Sequence, residues 1–81
     1  MITVRYWAAA RAAAGRAEEP VSGGRAVTTM LAELGDRHGE ALARVLARCS
    51  FLLDGEQVHH QADRMLPENG VLDVLPPFAG G

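Results

Sequence analysis

The arrangement of this sequence is set by its last eleven residues, Val71-Leu72-Asp73-Val74-Leu75-Pro76-Pro77-Phe78-Ala79-Gly80-Gly81. The first five are aliphatic with one polar interruption, a pattern that predicts a β-strand. Pro76 and Pro77 predict its end, because proline has no backbone N–H to donate and its φ is fixed near −65°. The last four residues have no charged side chain and finish on two glycines. We therefore expect a domain over residues 1–75 that presents a flexible tail over residues 76–81.

The hydrophobic pattern before the tail predicts the order strand, strand, helix, strand, strand. Residues 2–7 alternate, with Ile2, Val4 and Tyr6 on the inner face of a first strand and Thr3, Arg5 and Trp7 on its outer face. Residues 17–22 predict a weaker strand, which belongs at a sheet edge because Pro20 cannot donate to a ladder. Residues 51–53 predict a compact apolar strand, and the turn signal Asp54-Gly55 leads into a return strand within residues 57–61. The sharpest point of the turn before the last strand is Asn69-Gly70.

One main helix is expected between the second and third strands. Val27, Met30, Leu31 and Leu34 have the spacing of one helical face, and Gly39 is a suitable end. Residues 41–49 repeat this pattern over a shorter length, which predicts a second helical piece. The alanine-rich residues 8–14 number only seven before Gly15 and have no cap, so they predict a connecting turn with room for one helical turn.

The first and last strands are expected to pair. A helix between apolar strands favours a crossover that places those strands side by side and parallel. On their outer faces Arg5 and Asp73 could then form a cross-strand ion pair. Trp7 and Leu75 would share that face, beside the point where the tail leaves.

Composition limits the function classes. A chain of 81 residues is expected to form one domain, and its net charge of −2 without a basic stripe argues against nucleic-acid binding. One cysteine excludes an internal disulfide framework and suits a reducing cytoplasm. The N-terminal segment is too short and polar for a signal peptide, and no apolar run approaches ~20 residues. We expect a small cytoplasmic protein without a membrane segment.

Most other reactive side chains are predicted to be solvated or buried residues without a functional role. Adjacent histidines on a strand point to opposite faces, so no metal site is expected, and His38, His59 and His60 are interpreted as solvated loop residues. Cys49 continues an apolar helical face, which predicts a buried, inert thiol. Glu18 and Glu19 are interpreted as edge-strand charges, and Arg44 and Arg48 as a solvated helix face.

Trp7 has two possible roles, in the core or on a partner-binding surface, and the strand alternation favours the surface.

The layout and its ending resemble the MoaD/ThiS family of ubiquitin-like sulfur carriers, closest to the small subunit of molybdopterin synthase. The shared features are the opening strand Ile2-Thr3-Val4-Arg5-Tyr6-Trp7, the Val27 to Leu34 helix, the Leu53-Asp54-Gly55 turn and the ending Leu75-Pro76-Pro77-Phe78-Ala79-Gly80-Gly81. The resemblance implies an α+β, β-grasp fold: a mixed sheet with parallel first and last strands, packed on one main helix. Two departures are Asp54, where the family commonly has asparagine, and the turn Glu68-Asn69-Gly70, which is often acidic-Gly-acidic.

The resemblance also implies a chemical cycle. A ubiquitin-activating-type adenylyltransferase would use ATP to adenylate the Gly81 carboxylate, and a sulfur donor protein would convert it to a thiocarboxylate. The large subunit of molybdopterin synthase would then accept the sulfur, and this chain would bind no cofactor itself. Residues that contact these partners would be Leu75, Pro76, Pro77, Phe78, Ala79, Gly80 and Trp7.

Three alternatives remain open at this point. The chain could carry sulfur for thiamine or cysteine synthesis, or it could be a ubiquitin-like modifier joined to lysines. It could also be an interaction module whose glycine-rich tail is simply a frayed terminus.

Overall fold

A computed structural model describes residues 1–58 and 64–77 of the protein. The strands are β1 (Ile2–Tyr6), β2 (Glu18–Val21), β3 (Ser50–Leu53), β4 (Glu56–Val58) and β5 (Gly70–Leu75), and the helices are α1 (Ala8–Ala14), α2 (Val27–His38) and α3 (Glu40–Leu46). The strands form one sheet in the order β2-β1-β5-β3-β4. Strands β1 and β5 are parallel, and the other neighbours are antiparallel. The predicted α+β, β-grasp fold with parallel first and last strands is confirmed.

The core lies on the face of the sheet that the helices cover. The alternation in β1 buries Ile2, Val4 and Tyr6, and β5 contributes Leu72 and Val74 to the same layer. Fully buried side chains also come from β3 and the helices, namely Phe51, Met30, Leu34 and Leu42. The register pairs Val4 with Leu72 and Arg5 with Asp73, so inner and outer faces match as predicted.

Helix α1 corrects the prediction of a connecting turn over residues 8–14. Ala10 and Ala14 are buried in the core cluster, and α1 packs against α3. Gly15 closes the helix at φ 75°, where its N–H donates to the Arg11 carbonyl at 2.9 Å. A seven-residue helix is marginal alone, and here tertiary packing stabilises it.

The two other helices follow the predicted pattern. Helix α2 ends before Gly39, whose φ is 98° and whose N–H donates to the Gly35 carbonyl at 2.8 Å. The short second helix is α3, and it carries the exposed Glu40–Arg44 ion pair at 2.7 Å. A Cβ on Gly35 would lie 3.2 Å from the Ala43 Cβ, so glycine at this position permits the close approach of α2 and α3.

The turns at Asp54-Gly55 and before β5 anchor the last strand. Asp54 and Gly55 have φ of 49° and 85°, as a two-residue type I′ turn requires. The Asp54 carboxylate accepts a hydrogen bond from the Val71 N–H at 2.9 Å, which joins this turn to β5. The return strand is β4 (Glu56–Val58), and the rest of the predicted range, 59–61, lies outside the described residues.

Two assignments of edge and loop residues are wrong. Glu19 is buried, although it was expected to be an edge-strand charge, because it lies on the inner face of β2 together with Val21. His38 is half-buried at the end of α2 and contacts Glu19, so it is not a solvated loop residue. His59 and His60 lie outside the described residues.

Candidate functional site

The base of the tail lies at the centre of the sheet. Strand β5 is held between β1 and β3, and Leu75 pairs with Ser50 at its end. The Trp7 N–H donates to the Val74 carbonyl at 3.2 Å, which extends the β1–β5 ladder to the last residues of the strand. Pro76 is half-buried and Pro77 is exposed. The chain therefore leaves a firmly held strand, and the remaining tail residues of the prediction, Phe78, Ala79, Gly80 and Gly81, lie outside the described residues.

Trp7 lies on the surface beside this exit. Its side chain is 46% exposed, so it lies on the outer side of the sheet rather than in the core. Its indole Nε1 donates to the Asp73 Oδ1 at 2.9 Å. The Arg5 guanidinium lies against the same ring, with its central carbon 5.5 Å from the ring centroid. Leu75, which was expected to share this face with Trp7, is half-buried, and Phe78 lies outside the described residues.

Asp73 joins these outer-face residues. The predicted cross-strand pair is present: Arg5 Nε donates to Asp73 Oδ1 at 2.7 Å and Arg5 Nη2 donates to Oδ2 at 3.2 Å. The hydrogen bond from Arg5 lowers the pKa of Asp73, partial burial opposes this, and the Trp7 hydrogen bond lowers the pKa further. The side chain is therefore a carboxylate at neutral pH and a fixed acceptor for both neighbours.

A second polar cluster was missed by sequence reasoning and lies on the inner face, around Glu19. Its carboxylate accepts hydrogen bonds from the Tyr6 hydroxyl at 2.6 Å and from Arg37 Nη1 at 2.8 Å. It also contacts His38 Nε2, and Arg16 lies 3.8 Å away. Strand alternation was the signal in the sequence that could have revealed this cluster, because Glu19 and Val21 are two residues apart and therefore lie on the same face of β2. The cluster ties the edge strand β2 to β1 and to the end of α2.

Burial and hydrogen bonding act in opposite directions on these buried groups. Burial raises the pKa of Glu19, but the hydrogen bonds from Tyr6, Arg37 and His38 outweigh it, so the pKa is lowered overall. Burial, followed by the hydrogen bond to Glu19, raises the pKa of the Tyr6 hydroxyl far above its ordinary value. Tyr6 therefore stays a neutral donor, and the Glu19 carboxylate stays ionised.

The described part of the chain contains neither an accessible thiol nor a cluster of side chains suited to a metal ion. Cys49 is buried, its thiol donates to the Val45 carbonyl at 3.1 Å, and burial raises its pKa to about 11. The predicted burial of this thiol is thus confirmed, and its lack of reactivity stays a prediction. Over residues 1–58 and 64–77 no group of three His, Cys, Asp or Glu side chains could hold a metal ion.

No helix within the described residues has both the length and the apolar character needed to cross a membrane.

The sequence model of the ThiS family matches residues 4–81, which is nearly the whole chain. The chain belongs to the ThiS family. No curated protein sequence matches it. Members of this family generally act with an activating enzyme and a large synthase subunit.

Solved structures support the same grouping. Small archaeal modifier protein 1 from Methanosarcina acetivorans has 27% identity over 99% of this chain and 95% of that chain, with a TM-score of 0.82. A candidate molybdopterin converting factor, subunit 1, from Pyrococcus furiosus has 26% identity over 95% of this chain and 97% of that chain, with a TM-score of 0.78. Small archaeal modifier protein 1 from Haloferax volcanii has 23% identity over 99% and 98% of the two chains and a TM-score of 0.76, which shows the fold alone. This chain is thus a ubiquitin-like sulfur carrier or modifier of the MoaD/ThiS type.

Proposed function

We propose that this protein is a sulfur carrier that acts through a thiocarboxylate at Gly81, as the small subunit of molybdopterin synthase. The observation that carries the proposal is the placement of β5: a central strand, parallel to β1, leads directly into Pro76-Pro77 and the tail. The family match extends through this tail to residue 81.

The tail sequence suits entry into a partner's narrow site. Five residues beyond Pro76 span at most ~18 Å when extended. Glycine at positions 80 and 81 removes the Cβ atoms that would obstruct a tight channel. The two prolines restrict the start of the tail, so less conformational entropy is lost on docking.

The proposed reaction uses the backbone carboxylate and partner groups. In the activating enzyme, a Gly81 carboxylate oxygen attacks the α-phosphorus of ATP and releases pyrophosphate. A sulfur nucleophile at the oxidation level of sulfide, provided by a donor protein, then displaces AMP from the acyl carbon. The large subunit of molybdopterin synthase supplies the pocket in which this sulfur passes to the pterin precursor. The carrier presents the reacting atom, and the described Cys49 has no part because it is buried.

A ubiquitin-like modifier is the second candidate, favoured by the 27% identity to small archaeal modifier protein 1 from Methanosarcina acetivorans. In that case the activated Gly81 carbonyl would form an amide with a lysine amine of a target protein. The sequence contains eight arginines and no lysine. A lysine-linked conjugate would therefore contain a different protein, and chains of this protein linked through lysine are not expected. Carriers for thiamine or cysteine synthesis share the activation step and differ in the acceptor.

Intact mass spectrometry tests the proposal. Incubation with the cognate adenylyltransferase, ATP and a sulfur donor should raise the mass by the difference between one sulfur and one oxygen atom. Deletion of Gly81 should abolish the change while the far-UV circular dichroism and melting temperature stay as in the wild type. Sulfur transfer to a pterin precursor with the large subunit would then identify the pathway.

Three outcomes would contradict the proposal. An unchanged mass with an active adenylyltransferase would refute thiocarboxylate formation. Persistent conjugates on target proteins, without thiocarboxylate, would favour the modifier. Loss of folding on deletion of Gly81 would show that the tail belongs to the folded domain.

A further inference from the structure

Three outer-face side chains beside the tail hold one another in place. Asp73 Oδ1 accepts hydrogen bonds from both Arg5 Nε and Trp7 Nε1, at 2.7 Å and 2.9 Å. Arg5 Nη2 donates to the second carboxylate oxygen, and the guanidinium lies against the indole ring. Each of the three side chains is therefore fixed by the other two. We refer to Arg5, Trp7 and Asp73 as the outer-face triad.

The triad lies at the surface of the sheet. Arg5 and Trp7 are each 46% exposed, and the Asp73 side chain, which accepts hydrogen bonds from both, is 15% exposed. A large aromatic side chain at the surface is typical of a binding site, where tryptophan and arginine are enriched. The lowered pKa of Asp73 keeps it an acceptor across the neutral range. The main consequence of the contacts is a fixed orientation of an exposed indole.

We propose that Asp73 is a positioning residue, which presets Trp7 and Arg5 as a rigid recognition surface for the adenylyltransferase that receives the tail. This inference rests on the proposed function, because it assumes that a partner docks at the base of the tail. The main-chain hydrogen bond from Trp7 to Val74 places this surface directly beside the last residues of β5.

The donors left on the triad indicate the chemistry of the partner. Arg5 binds Asp73 through Nε and Nη2, and its Nη1 makes no hydrogen bond within residues 1–58 and 64–77. A depression of about 250 Å³ beside the ring is lined by Arg5, Trp7 and Arg11 and also by the acidic Glu18. The surface therefore fits a partner with an apolar pocket for the indole and a hydrogen-bond acceptor for the Nη1 donor of Arg5.

The first test uses the free protein and its single tryptophan. In Asp73→Ala the indole loses its acceptor, so the fluorescence anisotropy decay of Trp7 should gain a fast local component. Asp73→Asn retains an oxygen that can accept from Nε1, so it should restore most of the slow decay. Glu40→Gln removes an exposed ion pair on α3 and is the matched control, with wild-type anisotropy expected. Identical decays in Asp73→Ala and the wild type would overturn the proposal, whichever function the protein has.

The second test measures recognition by the cognate adenylyltransferase. Mobile side chains must be immobilised on binding, so Asp73→Ala should raise the Kd and KM about two- to tenfold while kcat at saturating carrier stays unchanged. Trp7→Ala should raise both constants more, and Glu40→Gln should leave them unchanged. Thermal unfolding of each variant, with Asp73→Asn as the milder substitution, separates this effect from loss of folding.

The outcomes of the two tests distinguish the proposals. A loosened indole with an unchanged KM would overturn the recognition role of Asp73. A wild-type protein that the adenylyltransferase binds but never activates would refute the proposed function, and the Kd series would still decide the role of Asp73. A raised KM in Asp73→Ala that returns toward the wild-type value in Asp73→Asn would support the positioning role of Asp73.

Discussion

Replacing Glu19 with glutamine should destabilise the fold, whereas the same change at Glu18 should not. The two residues are neighbours on β2, but Glu19 is 3% exposed and Glu18 is exposed on the other face. Glu19 accepts from Tyr6 and Arg37 and contacts His38. Glutamine has nearly the same shape, so the comparison isolates the loss of one charged acceptor oxygen.

The magnitude follows from these contacts. One carboxylate oxygen serves Tyr6 and His38 and the other serves Arg37, so the amide must leave at least one donor without its charged acceptor. A hydrogen bond to a charged group contributes about 1.5–3 kcal/mol to the free energy of unfolding, and we expect Glu19→Gln to lose about that amount. Glu19→Ala also leaves the buried Tyr6 hydroxyl unpaired and should lose about 3–5 kcal/mol. Domains of this size have about 4–12 kcal/mol in all, so the alanine variant should lose a large share of its stability and, at the lower end of that range, be close to unfolded.

Urea unfolding monitored by far-UV circular dichroism measures this effect. With an m-value of about 1 kcal/mol/M, Glu19→Gln should lower the urea midpoint by roughly 1.5–3 M. Glu18→Gln should stay within about 0.5 kcal/mol of the wild type, as surface substitutions usually do. Combining Glu19→Gln with Tyr6→Phe should cost less than the sum of the two single changes, because both remove the hydrogen bond between the Tyr6 hydroxyl and a charged carboxylate.

The pH dependence provides a second readout. The folded-state pKa of Glu19 lies below its ordinary value of 4.5, so its stabilising effect is fully present above about pH 5. As the pH falls below 4.5 the unfolded chain binds more protons than the folded one, and this stabilisation is lost. The free energy of unfolding should therefore fall more steeply with acidification in the wild type than in Glu19→Gln. Equal midpoints for Glu19→Gln and Glu18→Gln at pH 7, with equal acid slopes, would refute the reasoning.

Three further predictions concern backbone geometry and the thiol. A Cβ on Gly23 would lie 2.2 Å from a backbone carbonyl oxygen, so Gly23→Ala should lower the free energy of unfolding in urea by about 1–3 kcal/mol. A Cβ on Gly15 would meet no atom within 4 Å, so Gly15→Ala should lower it by only about 1 kcal/mol, because of the positive φ at that position. Asp54→Asn keeps an acceptor for the Val71 N–H and should change the free energy of unfolding by less than about 0.5 kcal/mol. Asp54→Ala removes that acceptor and should lower the free energy of unfolding by about 1 kcal/mol. Equal values for the two variants would show that this hydrogen bond does not stabilise the fold. Cys49, with a pKa of about 11, should react with a disulfide reagent at pH 8 only when urea unfolds the protein, and fast labelling of the folded state would contradict its burial.

Local sequence patterns were sufficient for much of the fold. The alternation of Ile2, Val4 and Tyr6 specified which face of β1 is buried, and the spacing of Val27, Met30 and Leu34 specified the buried face of α2. Matching these phases with β5 predicted the Arg5–Asp73 pair before any distance was known. These features follow from periodicity, because strands and helices repeat every 2.0 and 3.6 residues.

Other features depended on residues that lie far apart in the chain. Helix α1 is too short to be stable alone, and its packing against α3 decides its conformation. Glu19 and His38 looked like solvated groups in the sequence, yet they meet in the folded protein with Tyr6 and Arg37. Burial of a carboxylate becomes possible only when several donors converge on it, and no single segment contains that set of donors.

The sequence by itself determined the order of the strands along the chain, the pairing of the first and last, and the Arg5–Asp73 pair, and it predicts a proline-bounded tail over residues 76–81. Only the tertiary structure decided that the Trp7 indole also donates to Asp73 and lies against Arg5. The physical reason is that periodicity assigns each side chain to a face, whereas hydrogen-bond partners depend on distances that arise only when β1 and β5 lie side by side.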